Sequence, residues 1–180
     1  MGIRTSNTTD VVFEDVRVPA SAMLGKEGEG FKIAMKTLDM ARTTIGVGAV
    51  GVAQRAIDEA VAYSKQRVTF GSTISNHQAI QFMLADMEIR TETARSMVIQ
   101  AVTRQEQGLS YSKESAVAKC YAGDIAVQNA LDAIQILGGY GYSREYPVEK
   151  LLRDAKIFQI YEGTNQIQRI VISRAVMGKF

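Results

Sequence analysis

Three long runs of apolar residues at helical spacing constrain the fold of this chain more than any other feature. They extend over about residues 31–67, 76–105 and 113–137. Within each run apolar residues recur every three or four positions, which predicts an amphipathic helix with one buried face. Short glycine-containing stretches separate the runs, so neighbouring helices are expected to pack antiparallel in a four-helix-type bundle.

Local signals mark where several of these helices begin and end. Ser75–Gln78 has the form of a capping box, which predicts the start of the second helix. Gly138 is suited to ending the third helix, since glycine accepts a left-handed conformation. Pro147 is expected as the first residue of a shorter fourth helix. Thr164 and Asn165 are good N-cap types, and they predict a last helix over 165–177.

Residues 11–19 differ from the helical remainder. Val11–Pro19 is rich in β-branched residues, partly alternating and ended by a proline, which predicts one or two short strands. Isolated strands are marginally stable in water. We therefore expect this segment either to pack on the bundle or to belong to a larger sheet.

The composition excludes several function classes. The 180 residues are 46% hydrophobic and 22% charged, with a net charge of +2. The basic residues form no stripe, so nucleic-acid binding is not expected. No segment reaches the ~18 apolar residues of a membrane span. Met1–Arg4 carries no signal or transit pattern. The single Cys120 excludes an internal disulfide, and its alanine-rich surroundings predict a buried packing role.

Two motifs favour structural roles. Gly46–Gly51 matches G-x-G-x-x-G, but it lies inside a helical run and lacks the strand-to-helix context of a dinucleotide site. Close helix packing explains these glycines better. His77 is the only histidine and lies at a predicted helix start, so no metal site of nitrogen or sulfur ligands is expected.

Glu162 stands between Tyr161 and Gly163, just before the last predicted helix. Its apolar neighbours Phe158 and Ile160 would solvate its charge poorly, and a carboxylate in such surroundings suits a general base near neutral pH. Alternatively, Glu162 is a solvated loop acid that the helix dipole favours. Residue types alone favour the second interpretation, because single acids usually lie at the surface.

Two further segments also have two interpretations. Arg67, Thr69 and Phe70 follow the first helical run, where an arginine complements the helix dipole. They could instead supply a guanidinium, a hydroxyl and a ring to a phosphate-bearing cofactor. Gln135–Gly139 is similarly either a helix end or a place where the backbone approaches a ligand closely.

Taken together and in order, these segments resemble the acyl-CoA dehydrogenase family over essentially the whole chain. The matching motifs are Val12–Pro19, Arg67–Gly71, Gln78–Phe82, Gln135–Gly139, Glu145–Lys150, Arg153–Lys156, Tyr161–Thr164 and Gln166–Arg169. The resemblance implies a mainly α fold: the C-terminal bundle over residues 26–180, preceded at 1–25 by the end of the middle β-domain and a linker. It also implies a truncated chain, about half of a usual member.

The resemblance implies an FAD-dependent dehydrogenation of an acyl-CoA thioester to trans-2-enoyl-CoA, as in fatty acid β-oxidation. Glu162 would remove the α-proton. Some members place the base on the first bundle helix instead, where this chain has Ala41. Electrons would pass to electron transfer flavoprotein. The compartment would be the cytoplasm in a bacterium or the mitochondrial matrix in a eukaryote.

The resemblance also assigns the remaining site residues. FAD held mainly by a neighbouring subunit would contact Arg67, Thr69, Phe70, Gln135, Gly138 and Gly139. The chain's own FAD would contact Thr164 and Gln166, and acyl-CoA would lie near Asp39, Arg42 and Gly163. Shared flavins imply a homodimer or tetramer. The alternative is a non-catalytic helical module that oligomerises without flavin.

Overall fold

The computed structural model describes residues 1–178, and these form a bundle of five α-helices. The helices are α1 (Gly30–Ser64), α2 (Gln78–Glu106), α3 (Ser112–Leu137), α4 (Val148–Ala155) and α5 (Asn165–Val176). The prediction of a mainly α bundle is confirmed, and the helix boundaries differ from the predicted ones by a few residues. The first helix ends at Ser64, before Arg67, and Pro147 is the N-cap of α4.

Helix α3 lies at the centre and packs against each of the other four α-helices. It can do so because a series of its buried side chains are single methyl groups, which allow neighbouring backbones to approach closely. These fully buried residues are Ala116, Ala118, Ala122, Ala126, Ala130 and Ala133. The core forms two clusters along the bundle, one around Val50, Val98 and Phe158 and the other around Ile57, Met87 and Leu137.

Buried polar groups fix the register of α2 against α3. Asn129 of α3 is fully buried, and its amide donates to the Met87 carbonyl at 3.1 Å and to Thr91 Oγ1 at 2.8 Å. Arg90 Nε donates to Asn129 Oδ1 at 2.9 Å, and its guanidinium also pairs with Asp132. Each polar atom of the Asn129 side chain thus has a partner, as burial requires.

The glycines of the G-x-G-x-x-G motif lie in the middle of α1, so a dinucleotide-binding role is excluded and the packing interpretation holds for two of them. A Cβ at Gly46 would lie 3.0 Å from Val98 Cγ2, and one at Gly48 would lie 3.4 Å from the Phe158 ring. Gly51 is exposed, with nothing within 4 Å of such a Cβ.

The prediction of strands at 11–19 is wrong. This segment is exposed and forms no strand, and the two-stranded antiparallel sheet of the described residues pairs Val68–Thr69 with Ser72–Thr73. The β-branched pattern remains, but within residues 1–178 no other strand lies alongside it to accept its backbone hydrogen bonds. The chain is tethered before this segment, where the Ile3 N–H donates to Asp154 Oδ1 at 2.7 Å.

The capping box at Ser75 is also wrong. Ser75 lies in a 3₁₀ turn, Ile74–Asn76, and its hydroxyl lies 3.0 Å from Thr73 Oγ1. His77 is the N-cap of α2, consistent with its predicted place at a helix start. Gly138 ends α3 with a φ of 62°, and Thr164 Oγ1 accepts the Ile167 N–H at 3.3 Å, so these two end signals are confirmed.

We predict opposite effects of adding a methyl group at two helical glycines. A Cβ at Gly123 would lie 2.9 Å from the Phe158 carbonyl oxygen, so Gly123→Ala should lower the free energy of unfolding by about 1–3 kcal/mol. Gly51→Ala should raise it by about 0.5–1 kcal/mol, because the methyl meets nothing and restricts the unfolded chain. Urea unfolding measures both. Equal stability of the two variants would contradict the packing described for α3.

Candidate functional site

The turn before α5 has an unusual backbone. Glu162 has a φ of 54° and Gly163 a φ of 84°. The left-handed conformation is ordinary for glycine, but for a glutamate it costs roughly 1–2 kcal/mol. Such a residue persists only where its surroundings hold it, and backbone outliers of this kind cluster at functional sites. Glu162 itself is partly exposed, so its carboxylate can reach a ligand.

Two fully buried side chains hold this turn by its carbonyl oxygens. Lys119 extends from α3, and its Nζ donates to the Gly163 carbonyl at 2.7 Å and to Asn165 Oδ1 at 2.9 Å. Gln168 lies on α5, and its Nε2 donates to the carbonyls of Glu162 at 3.2 Å and Gly163 at 2.9 Å. The turn is therefore tied both to the central helix and to the helix that follows it.

Helix α5 buries polar residues against α3. Asn165 donates to the Cys120 carbonyl at 3.0 Å and to Asp124 Oδ1 at 2.8 Å, and Arg169 Nη2 donates to Asp124 Oδ2 at 2.8 Å. By contrast, Ile167 and Ile170 of the predicted apolar run are 46% and 45% exposed. The face that fixes α5 is thus polar, and hydrogen bonds set its position.

Burial lowers the pKa of Lys119 to about 8 from its usual 10.5. The groups at Cys120, Asp124 and Glu162 oppose this shift, and the charge of Arg42 adds to it. The structure therefore brings Arg42 and Glu162 within electrostatic range of the same ammonium. Burial also raises the pKa of Tyr161, and the neighbouring Glu162 carboxylate adds to that rise.

The predicted substrate-binding pair on α1 is ordered by its own contacts. Arg42 pairs with Asp39, whose Oδ1 also accepts the Ser112 hydroxyl at 3.1 Å. Arg42 is only 6% exposed, and its Nε has no hydrogen-bond partner among the described residues. A buried guanidinium N–H without an acceptor is costly, so Arg42 retains donor capacity that a ligand could use.

Four of the predicted cofactor residues line one cleft at the C-terminal ends of α1 and α3. Its volume is about 640 Å³, and Arg67, Thr69, Gly138 and Gly139 contribute to its walls. Four aliphatic side chains and two tyrosine rings form most of the remaining wall, and the rings of Tyr63 and Tyr140 are centred 6.2 Å apart. The cleft thus combines an apolar wall with an arginine, hydroxyls, glycine backbone and the carboxylate-bearing Glu145.

The structure places the other predicted cofactor residues elsewhere. Phe70 is 99% exposed beyond the cleft, and Gln135 is exposed on the last turn of α3 outside its lining. Thr164 and Gln166 line a second cleft of about 480 Å³ together with Asp124 and Arg169. Six of the eight sequence-predicted cofactor residues therefore line two separate clefts, and Phe70 and Gln135 line neither.

Sequence reasoning missed Lys119 and Gln168. A signal for Lys119 was present, because this lysine lies among the alanines at 116, 118 and 122 of a closely packed helix. For Gln168 the signal was weaker, since a glutamine three residues after Asn165 is also typical of an exposed helix face. Both residues become apparent only when the turn conformation is known.

A comparison with protein families matches residues 28–177 to the acyl-CoA dehydrogenase C-terminal domain. The chain belongs to the acyl-CoA dehydrogenase family. An acyl-CoA dehydrogenase of Bacillus subtilis is 52% identical over 178 residues, which are 99% of this chain and 47% of that protein. The chain spans about half the length of the curated relatives it matches.

Solved structures of acyl-CoA dehydrogenase family members have the same bundle. Butyryl-CoA dehydrogenase from Megasphaera elsdenii is 50% identical with a TM-score of 0.91, covering 92% of this chain and 43% of that one. A chain in the structure of the electron transferring flavoprotein of Acidaminococcus fermentans is 53% identical with a TM-score of 0.90, covering 92% and 44%. Among residues 1–178 no helix is long and apolar enough to cross a membrane.

We predict a pH-dependent effect of Lys119 on stability. Between pH 8 and 10.5 the unfolded chain binds a proton at Lys119 that the folded chain has lost. The free energy of unfolding therefore rises with pH across this window, by at most about 1.4 kcal/mol per pH unit. Relative to Lys119→Met, the wild-type chain should gain stability between these two pH values and show no relative gain at about pH 6–7.

Urea unfolding at each pH measures this difference. Lys113→Met is the matched control, because the Lys113 side chain is 50% exposed on the same helix and should show no such trend. A stability difference between the wild-type chain and Lys119→Met that does not change with pH would contradict the burial of the Lys119 ammonium.

Proposed function

We propose that this chain is the C-terminal part of an FAD-dependent acyl-CoA dehydrogenase with Glu162 as its α-proton base. The observation that carries the proposal is the Glu162 turn: a partly exposed carboxylate in a strained backbone conformation that two buried side chains hold. Family membership supports the reaction class. Because the chain spans about half of its relatives, the activity belongs to the whole protein.

In the proposed reaction the Glu162 carboxylate removes the α-proton of an acyl-CoA thioester. Bound FAD would supply the redox chemistry, with its flavin N5 as the acceptor of the β-hydrogen as hydride. The α,β carbon–carbon double bond forms from the electrons of the broken α-C–H bond, which gives trans-2-enoyl-CoA. The backbone N–H of Glu162 would stabilise the negative charge that develops on the thioester oxygen.

Asp39, Arg42 and Gly163 are proposed to line the acyl-CoA site. Two observations on Arg42 support this role. Its Nε has no hydrogen-bond partner among the described residues, and both Arg42 and Glu162 lie within electrostatic range of the buried Lys119 ammonium. Gly163 has a φ of 84°, and a Cβ there would lie 2.8 Å from Gln168 Nε2, so the turn beside Glu162 requires glycine at this position. Ala41, next to Arg42, has no side-chain group that can accept a proton, so Glu162 is the preferred base.

The residues present fit a flavin dinucleotide. The Arg67 guanidinium is exposed in the larger cleft and has no carboxylate partner among residues 1–178. A Cβ at Gly138 or Gly139 would meet nothing within 4 Å, so their backbone is open to a ligand. Arg67, Thr69, Phe70, Gln135, Gly138 and Gly139 would hold the FAD of a neighbouring subunit, and Thr164 and Gln166 would contact the chain's own.

Sharing FAD in this way requires a homodimer or tetramer, and we propose that the chain assembles through the bundle. Electron transfer flavoprotein is the proposed electron acceptor. The occurrence of a similar chain in a structure of that flavoprotein from Acidaminococcus fermentans supports this partner. Oxidation of fatty acyl-CoA thioesters is the proposed pathway context.

Flavin colour tests the proposal against a non-catalytic association module. The test protein is this chain joined to the N-terminal part of the Bacillus subtilis relative. A yellow protein whose flavin absorbance bleaches on adding butyryl-CoA or octanoyl-CoA supports the dehydrogenase. A colourless oligomer that takes up no added FAD supports the association module.

We predict that Glu162→Gln in the flavin-loaded protein abolishes exchange of the substrate α-proton while FAD stays bound. The amide keeps the size of the side chain but cannot accept the proton, so loss of a general base should lower kcat by at least about 100-fold. Deuterium exchange followed by mass spectrometry measures this step. Glu106→Gln, at the end of α2, is the control. Near-wild-type exchange of the α-proton in Glu162→Gln would contradict the assignment of Glu162 as the base.

We predict that Arg67→Ala weakens FAD binding by about tenfold or more, since a charge-assisted contact to phosphate is worth roughly 1.5–3 kcal/mol. Equilibrium dialysis against FAD measures the affinity. Arg55→Ala is the control. It removes an arginine from the same region of the chain whose side chain is 59% exposed and pairs with Glu59. Unchanged flavin affinity in Arg67→Ala would count against the cofactor role.

A further inference from the structure

The peptide groups around Glu162 differ in how their polar atoms are used. The carbonyl oxygens of Glu162 and Gly163 both accept hydrogen bonds from buried side chains. Among residues 1–178, the backbone N–H of Glu162 has no acceptor. Fixing the Glu162 carbonyl fixes the plane of the peptide bond that follows, and the φ and ψ of Glu162 then set the direction of its own N–H.

We propose that Lys119 and Gln168 form a clamp that positions this N–H, so that it stays free to bind the thioester oxygen of the substrate. The inference rests on the proposed function, because it assigns a task to two positioning residues of that same site. Neither residue touches the reacting atoms. They act through the Glu162–Gly163 backbone.

The choice of side chains supports a clamp over simple space filling. Lys119 is fully buried in a row of alanines, where an ammonium costs far more than an aliphatic side chain of the same length. Its Nζ compensates by donating to the Gly163 carbonyl and Asn165 Oδ1. A charge-assisted donor is about twice as strong as a neutral one, so this contact is suited to holding a strained turn.

Gln168 completes the arrangement from α5. Its Nε2 donates to both carbonyls, and it shares the Gly163 oxygen with Lys119. Its own Oε1 has no partner among the described residues, although the side chain is fully buried. The Gln168 side chain therefore stabilises the turn through its Nε2 donor and not through its Oε1 acceptor.

The first test uses this chain alone and does not depend on dehydrogenase activity. A glutamate-specific protease cleaves after Glu162 only when the turn opens, and it cleaves freely after Glu27, which is exposed. Lys119→Met should raise the ratio of cleavage after Glu162 to cleavage after Glu27 by about tenfold or more, because two charge-assisted bonds are lost.

Ile125→Val is the matched control, since it removes a buried methyl group from α3 and leaves the hydrogen bonds of Lys119 and Gln168 in place. It should leave the cleavage ratio unchanged even though it lowers overall stability. An unchanged ratio in Lys119→Met would overturn the clamp.

The second test uses the flavin-loaded protein and separates positioning from support of the fold. Lys119→Met and Gln168→Met should each lower kcat per bound flavin by about 10- to 100-fold, because a misplaced oxyanion donor weakens transition-state binding. KM should change by less than about threefold, and flavin content should stay at the wild-type level. Ile125→Val should keep the wild-type kcat per flavin.

The double variant decides whether the two residues act as one unit. Because they share the Gly163 carbonyl, Lys119→Met combined with Gln168→Met should lower kcat no further than the stronger single variant. Two outcomes would overturn the proposal. In one, the fold-loss of kcat in the double variant equals the product of the two single losses; in the other, kcat stays within about twofold of wild type in both single variants. If Lys119→Met opens the turn but the wild-type protein turns over no acyl-CoA, the dehydrogenase proposal fails and the clamp on the turn stands.

Discussion

The close packing of α3 is the constraint on which the rest of the structure depends. Its buried face consists largely of alanines, and Gly123 lies against the backbone of the segment before α5. At that separation a side chain larger than a methyl group would force the neighbouring helices apart. The same face therefore brings one long side chain, Lys119, directly beneath the Glu162 turn, where it can reach carbonyl oxygens.

This packing explains why polar residues hold the site in place. Apolar contacts between small residues are non-directional and tolerate sliding, whereas a hydrogen bond to a particular carbonyl specifies one arrangement. Asn129 fixes α2 against α3 in this way, and Asn165 with Gln168 fixes α5. The candidate base is consequently set by a polar network rather than by the apolar core, which suits a residue that must keep its position to within a fraction of an ångström.

The sequence predicted the features that follow from local chemistry. Helical periodicity located the three long helices, and end signals at Pro147 and Thr164 located the two shorter ones. Gly138 marked the end of α3, and Gly46 was correctly assigned to packing. The errors arose where tertiary partners decide the outcome. The 11–19 segment has strand chemistry but no strand beside it among the described residues. Gln168 is buried and Ile167 is half-exposed, and no pattern within α5 predicts that inversion.

As the α-proton base, Glu162 must face the α-carbon of a bound thioester. A crystal structure of the flavin-loaded protein with a non-reactive acyl-CoA analogue measures this directly. We expect a Glu162 carboxylate oxygen within about 3.5 Å of that carbon and the Glu162 N–H donating to the thioester oxygen. A carboxylate more than about 6 Å away, with another side chain in reach of the α-carbon, would contradict the account.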